Sequence, residues 1–243
     1  MTTQHPAPKV LLVVPAFNEQ DSLASTLLDI RRQVDFASIL VIDDGSNDLT
    51  SQVALSEGID LVRLPFNLGV GAAVQTGFKY AKDRDFDFVV QLDADGQHPA
   101  KYVRTLIERI QESGADVVAG TRLAKTPNSY TFTLPRRLGS QWLKFLIWIA
   151  SGKMFADPTC GLRIYSRCAV SFLAENYPDV AAEPYSLVLL SNGGFEIVEE
   201  SVQLRARMGG STSLTIGRTI AYMIIVSWAI VTAALGGRRR RRR

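Results

Sequence analysis

The chain is poor in cysteine: Cys160 and Cys168 are the only two in 243 residues. That excludes a disulfide-stapled scaffold and makes reduced thiols in a cytosolic compartment the default. An export signal is not expected either. Residues 1–8 are polar, hold two prolines and lack an apolar core, and they read as a flexible N-terminus. No internal repeat occurs, no low-complexity segment precedes the last residues, and there is no multi-span membrane domain. Positive charge is scarce outside one place. Six of the 27 basic residues are the terminal run Arg238–Arg243, so the remaining 21 face 24 acidic ones. The body is therefore mildly acidic, and no nucleic-acid partner is expected. The poly-Arg tail, 238–243, is available to an anionic surface; its plainer reading is a solvated end.

What is present is ordinary globular composition, 47% apolar and 21% charged, enough for one large domain with an appendage. The stretch that organises it is Val90-Gln91-Leu92-Asp93-Ala94-Asp95-Gly96-Gln97-His98-Pro99. The apolar run Phe86 to Leu92 reads as a buried strand. It ends in two carboxylates one residue apart, where an open α/β sheet binds its ligands. Two neighbouring carboxylates repel, and a divalent cation removes that cost. Mg²⁺ and Mn²⁺ take oxygen ligands, commonly one or two carboxylates completed by substrate phosphates. Gln97 offers a third, neutral oxygen. In the plainer reading Asp93 ends a strand in a turn and Asp95 caps the helix that Pro99 opens.

Three more strand ends agree with this one. Lys9 to Val14 is an apolar strand stopped by Pro15, and Ala16-Phe17-Asn18-Glu19 leads into a helix with Leu23, Leu27 and Ile30 on one face. Ser38 to Ile42 ends in Asp43-Asp44-Gly45-Ser46-Asn47-Asp48, a turn with Asn47 or Asp48 as a cap. Ile59 to Leu64 is followed by Asn67-Leu68-Gly69-Val70-Gly71, which opens a helix running to about Lys82. After the strand 86–92 come a helix from Pro99 to Gln111 and a strand from Asp116 to Ala119, then Gly120-Thr121-Arg122. Such alternation implies a mostly parallel, Rossmann-like sheet with helices on both faces, its polar residues gathered along the carboxyl edge.

Beyond Arg122 the pattern changes. Thr126 to Arg136 reads as a loop, and Leu138 to Ala150 as a helix rich in tryptophan and phenylalanine. That helix is either core or an apolar lip at a membrane interface. Asp157 to Arg163 is a turn holding a carboxylate, a hydroxyl and an arginine. Tyr185 to Ser191 reads as an apolar helix, Phe195 to Arg207 as strand-like, and Met208 to Ser213 as a loop. Thr219 to Leu235 is seventeen residues without a charge, near the lower limit for a span. Spanning would carry the arginine run across, against the positive-inside rule. A helix lying on the membrane or on a membrane partner is expected, with a single span as the runner-up.

Val14-Pro15-Ala16-Phe17-Asn18-Glu19, Asp43-Asp44-Gly45-Ser46, Asn67-Leu68-Gly69 and Asp93-Ala94-Asp95-Gly96-Gln97-His98-Pro99 together resemble the motif series of family 2 glycosyltransferases. Within that family the chain looks most like the dolichol-phosphate mannose synthase-like, polyprenyl-phosphate branch, which Asp157–Arg163 and Arg207–Ser213 also resemble. The resemblance implies a GT-A fold over 9–213, with 214–237 as an apolar membrane-associating helix. It implies a GDP-, UDP- or dTDP-sugar donor, Mg²⁺ or Mn²⁺, a lipid-phosphate acceptor and a place at the cytosolic membrane face. A small membrane-protein partner or an oligomer would fit the same picture. Pro15, Ala16, Phe17 and Glu19 would line the base and ribose pocket, and Asp43 would contact the nucleoside. Asp93, Asp95 and Gln97 would hold the metal on the donor diphosphate. Arg122, Arg163 and Arg207 would contact phosphate or acceptor. The Gln-x-x-Arg-Trp motif of processive synthases does not occur, so a long-chain polymerase is not expected.

The expected chemistry is metal-assisted departure of a nucleoside diphosphate with inversion at the anomeric carbon. A lipid phosphate, already an anion, needs arginines to position it. A hydroxyl acceptor needs a carboxylate base, for which Asp157 and Glu183 are the candidates. Asp95, Asp157 and Arg207 are thus the catalytic candidates. Two other readings are a cytosolic transferase acting on a saccharide or protein hydroxyl, and a nucleotide-sugar-binding scaffold without catalysis. The intact Asp93-Ala94-Asp95 argues against the latter.

Overall fold

The computed structural model describes residues 7–122, 134–178, 182–205 and 216–235; for 134–138, 216–222 and 235 it describes backbone alone. The elements in chain order are β1 Val10–Ala16, α1 Leu23–Gln33, β2 Ser38–Asp43, α2 Thr50–Ser56, β3 Asp60–Arg63, α3 Val70–Asp83, β4 Phe88–Gln91 and α4 Tyr102–Ser113. There follow β5 Val117–Thr121, α5 Leu134–Ser151, β6 Arg163–Ser166, α6 Arg167–Asn176, α7 Ala182–Asn192, β7 Ile197–Ser201 and α8 Ile216–Leu235. The expected strands and helices of the first half are all there, with ends shifted by a few residues.

One seven-stranded sheet runs β3-β2-β1-β4-β6-β5-β7. Every pairing is parallel except those of β6, which is antiparallel to both β4 and β5. β1 is buried on both faces. Val10, Leu12, Val14 and Ala16 pack with Leu23, Leu27 and Ile30 of α1 and Val103, Leu106 and Ile110 of α4. Leu11 and Val13 point to the other face, against Ala73, Val74 and Phe78 of α3 and Val170 and Leu173 of α6. The result is the α/β sandwich with helices on both faces that the alternation implied.

Pro15 was expected to stop β1 but lies inside it, opposite Ile42. The reason is local. Val13 O accepts from Leu92 N on one side and Ala16 O from Asp44 N on the other. Pro15 therefore faces the same side as Val13, where β4 has already ended, and its missing N–H costs no ladder bond. The helix after Asp95 begins at Tyr102 with Lys101 at its N-cap and no side-chain cap. Asp95 is thus not the cap that the plainer reading required. Only the last three residues of the expected loop 126–136 are described, and they open α5.

A third cluster lies beside the sandwich. Leu143 and Ile147 of α5, Leu187 and Val188 of α7, and Val226, Ile230 and Ala233 of α8 pack together. α5 is therefore both things the sequence allowed. Its Leu143–Ile147 side is core, while Trp142, Phe145, Trp148 and Ile149 stand exposed. α8 repeats the arrangement with Ile224, Ile225, Trp228 and Val231 outward. Trp142 Nε1 donates to Ser227 Oγ at 3.0 Å and ties the two outer faces together. Among the described residues no helix is long and apolar enough to cross a membrane. The side chain of Tyr222 and the run Arg238–Arg243 lie outside the described residues.

Gly77 measures how tightly α3 sits on β1. A methyl group there would overlap both Cγ atoms of Val13. Gly77→Ala gains about 1 kcal/mol of helix propensity but meets an overpacking cost of about 1–3 kcal/mol. The expected outcome is a lower urea midpoint with an unchanged slope. A midpoint raised above that of the unmodified chain would show that the layers have slack.

Candidate active site

At the carboxyl edge of β1 and β4 lies a pocket lined by Pro15, Ala16, Phe17, Glu19, Asp44, Asn67, Gly69, Val70, Ala73, Asp93, Ala94, Asp95 and Glu183. Its volume is about 330 Å³. Five of these residues are acidic and none is basic.

Two strand-end loops are stitched together to form one wall. Asn18, at φ 53°, donates its N–H to Ser46 Oγ at 2.9 Å and accepts from Asn47 N at 2.9 Å. Glu19 N donates to Thr50 Oγ1 at 2.8 Å. Phe17, half exposed, completes that wall. Asp44 accepts from Leu68 N and Gly69 N, both at 2.8 Å, which fixes the approach to α3. Gly45, at φ +71°, lets the two loops meet, since a Cβ there would be 2.5 Å from the carbonyl carbon of Phe66.

Asp43 is placed differently from its neighbour. It is fully buried and does not line the pocket. Its carboxylate accepts from Ser46 N at 2.8 Å and from Ser51 Oγ, with Arg63 Nε 3.7 Å away. Asp43 thus stands behind the pocket, and Asp44 is the acid of that pair on its wall.

The carboxyl end of β4 brings Asp93 and Asp95 to the opposite side. Asp95 Oδ1 accepts from Gln97 N at 3.0 Å, a tight local turn. His98, buried beneath, holds Nδ1 3.3 Å from Asp93 Oδ2. Gln97 does not line the pocket; its carbonyl accepts from Arg205 N at 2.9 Å. Gly161 lies directly over Asp93, where a Cβ would come within 2.8 Å of Oδ2. Among the described residues no three acidic, imidazole or thiol groups form a ready-made metal cluster. The donor set is therefore two carboxylates on one turn facing an open pocket. Mg²⁺ and Mn²⁺ are commonly held in this way, with substrate phosphates completing the shell.

Asp157 and Arg122 were candidates for separate roles, but the structure pairs them. Arg122 Nε and Nη2 reach the two Asp157 oxygens at 2.5 and 2.7 Å, and Nη2 also reaches Thr159 Oγ1. Burial by itself would raise the Asp157 carboxyl, but the Arg122 hydrogen bonds and charge outweigh it and leave it below the ordinary range. A carboxylate so engaged is a weak base, which removes the physical case for Asp157 as the proton acceptor. Glu183 is the opposite case. It stands on the pocket wall, and burial raises its carboxyl, with Arg163 opposing and the charge of Asp93 adding to the rise. Cys160 is buried and its thiol is pushed up to about 12, mainly by desolvation, so it is no nucleophile. Arg207 lies outside the described residues. Arg163 is buried behind the site and does not face the pocket.

Comparisons with known proteins bear on this geometry. Residues 11–172 match Glycosyl transferase family 2. The UDP-N-acetylglucosamine–dolichyl-phosphate N-acetylglucosaminyltransferase of Methanococcus voltae is 24% identical over 239 residues, covering 89% of this chain and 95% of that one. The polyprenol monophosphomannose synthase of Mycolicibacterium smegmatis is 25% identical over 255 residues, covering 94% and 89%. Among solved structures, glucosyl-3-phosphoglycerate synthase of Mycobacterium tuberculosis, crystallised with Mn²⁺, UDP and phosphoglyceric acid, superposes with a TM-score of 0.70. It shares 19% identity over 94% of this chain and 79% of its own, and it supports the fold alone.

The burial of Asp43 yields a test. Asp43→Ala strands the Ser46 N–H and the Ser51 hydroxyl, at a cost of about 1–3 kcal/mol. Thermal unfolding is expected to fall by several degrees, while affinity for nucleoside diphosphate, measured below the new midpoint, stays within about twofold, as expected for a residue held behind the pocket wall. Lost affinity with unchanged unfolding would return Asp43 to the ligand.

Proposed function

The chain belongs to glycosyl transferase family 2, and from that premise we propose that it moves a sugar from a nucleoside-diphosphate donor to a polyprenyl phosphate at the cytosolic face of a membrane, using Mg²⁺ or Mn²⁺. The observation that carries the metal part is the charge of the pocket, five acids and no base. A donor diphosphate is itself an anion and cannot settle there without a cation. Asp93 and Asp95 are the residues that would hold it, and bound there it neutralises charge growing on the departing diphosphate.

The chain's own parts then divide the work. The wall from Pro15 to Glu19 with Asn67 to Val70 takes the nucleoside, and Asp93 and Asp95 face the diphosphate. The bond between the anomeric carbon and the diphosphate oxygen breaks as an acceptor oxygen bonds to the opposite face of that carbon, giving inversion. A phosphate acceptor brings its own negative oxygen and needs no proton removed. Relatives named for dolichyl-phosphate and polyprenol transfer support this acceptor class, as does the apolar face of α5 and α8. One observation favours a second reading. Glu183, with its raised carboxyl on the pocket wall, suits proton removal from a hydroxyl acceptor. Supplying the chain with a polyprenyl phosphate and with a soluble sugar alcohol in parallel separates the two.

Asp95→Ala is expected to cut sugar transfer by about a hundredfold or more, the scale of a lost electrostatic contact to a reacting group, with the unfolding temperature nearly unchanged. The loss should persist at saturating Mn²⁺. Transfer that survives both this replacement and a chelator would overturn the metal assignment.

The exposed aromatic face gives a second prediction. Trp148 and Trp228 are 48% and 70% exposed, and large apolar patches of this kind mark membrane or protein contacts. In flotation with vesicles of mixed neutral and anionic lipid, the full chain is expected at the top and the double variant Trp148→Ser, Trp228→Ser largely at the bottom. Equal flotation would show that this face is not the contact.

A further inference from the structure

Arg163 is the largest side chain with no exposed surface in the described structure. Burying a guanidinium is costly, and no carboxylate lies within ion-pair reach of it among the described residues. Its donors go to three backbone carbonyls and one serine hydroxyl instead. Nε bonds Cys160 O at 2.9 Å and Nη2 bonds Pro158 O at 2.9 Å. Nη1 bonds Glu183 O at 2.9 Å and Ser186 Oγ at 3.1 Å. Ser186 Oγ in turn donates to Glu183 O at 2.9 Å. One planar group thus joins two segments, the turn 157–161 and the first turn of α7.

The first turn of α7 lines the pocket, and the turn 157–161 abuts it through Gly161. The turn carries Asp157, which holds Arg122, and Gly161, which lies over the Asp93 carboxylate. The first turn of α7 carries Glu183 on the pocket wall. The guanidinium reaches none of the pocket space itself. A fold that needed only to fill this volume would do so more cheaply with an apolar side chain. What an arginine adds is a rigid fork that fixes several acceptors at set angles.

We infer that Arg163 is a positioning residue, whose buried guanidinium sets where Gly161 and Glu183 stand relative to Asp93 and thereby shapes the metal-facing and acceptor-facing side of the pocket. It is a clamp behind the site rather than the phosphate or acceptor contact that the resemblance implied. The inference rests on reading the pocket as the donor-diphosphate site.

Two variants test it. Arg163→Lys keeps the charge but cannot span the carbonyls from one point. Ser186→Ala removes one acceptor of the guanidinium together with the hydroxyl's own bond to Glu183 O, and spares the fold should the lysine variant unfold. The first measurement needs no activity. Backbone hydrogen exchange is expected to speed up in 157–162 and 182–186 together, with β1 to β4 still protected, more in Arg163→Lys than in Ser186→Ala. Unchanged exchange in both segments overturns the clamp whatever the chain catalyses. The second measurement is Mn²⁺ titration by electron paramagnetic resonance, with UDP and with GDP, beside steady-state transfer. Half-saturating Mn²⁺ should rise and kcat should fall about tenfold or more, as for a misplaced reacting geometry, while KM for the donor moves less than about threefold. A kcat and Mn²⁺ response equal to those of the unmodified chain overturns the inference alone. If the unmodified chain binds neither nucleotide with Mn²⁺, the donor-site reading falls, and the exchange data still judge the clamp.

Discussion

Like charges crowded at one sheet edge are the constraint around which this molecule is arranged. Glu19, Asp44, Asp93, Asp95 and Glu183 share one pocket, and each would rather be in water or beside a cation. The fold answers them one at a time. Asp44 takes two backbone N–H groups at the entry to α3. Glu19 accepts from Ser22 Oγ at 2.5 Å. Asp95 bends back on Gln97 N. Glu183 is pushed toward its neutral form by burial. Each device fixes a loop as it quiets a charge, so the electrostatic problem and the shape of the pocket have a common solution. The remaining imbalance is what a divalent cation would offset on the proposed reading.

Adjacent acids mark the limit of what a sequence yields here. That β2 ends in acidic residues at the site was legible, because a short apolar run stops there. Which of Asp43 and Asp44 faces the pocket was not. Neighbouring side chains at a strand end point to opposite sides, so a slip of one residue exchanges their roles. The structure gives the inward place to Asp43, where Ser46, Ser51 and Arg63 absorb it, and the pocket to Asp44. The same ambiguity touched Gln97, whose amide looked like a metal ligand by spacing although its residue lies off the pocket wall. Asp93 and Asp95 sit together on the turn that follows β4 and were legible as a pair.

The second half of the chain was less legible for a different reason. β6 is four residues long and begins with an arginine, so no apolar run announced it, and α6 follows without a gap. Asp157 to Arg163 reads as a turn in the sequence, with no strand assigned at its end. Arg163 and Asp157 then looked like site residues, since charged groups in a turn near a catalytic motif usually are. Their partners are supplied by distant segments: Arg122 lies 35 residues from Asp157, and Ser186 lies 23 from Arg163. A charge that is answered by the fold and one left for a ligand are the same letter in a sequence. Only tertiary neighbours separate them.

The reversed direction of β6 is what lets the back half of the chain serve the front. Parallel strands β1 and β4 deliver their carboxyl ends to the pocket, and an antiparallel neighbour delivers its beginning to the same edge. Gln91 therefore stands opposite Arg163, and the turn before β6 necessarily falls over Asp93. From that turn the clamp leads to α7, whose first residues carry Glu183 and whose body packs Leu187 and Val188 between α5 and α8. One helix of 11 residues, about 16 Å long at 1.5 Å per residue, thus joins the acidic pocket to the exposed aromatic face. An acceptor that is phosphate at one end and hydrocarbon at the other has to satisfy both places at once.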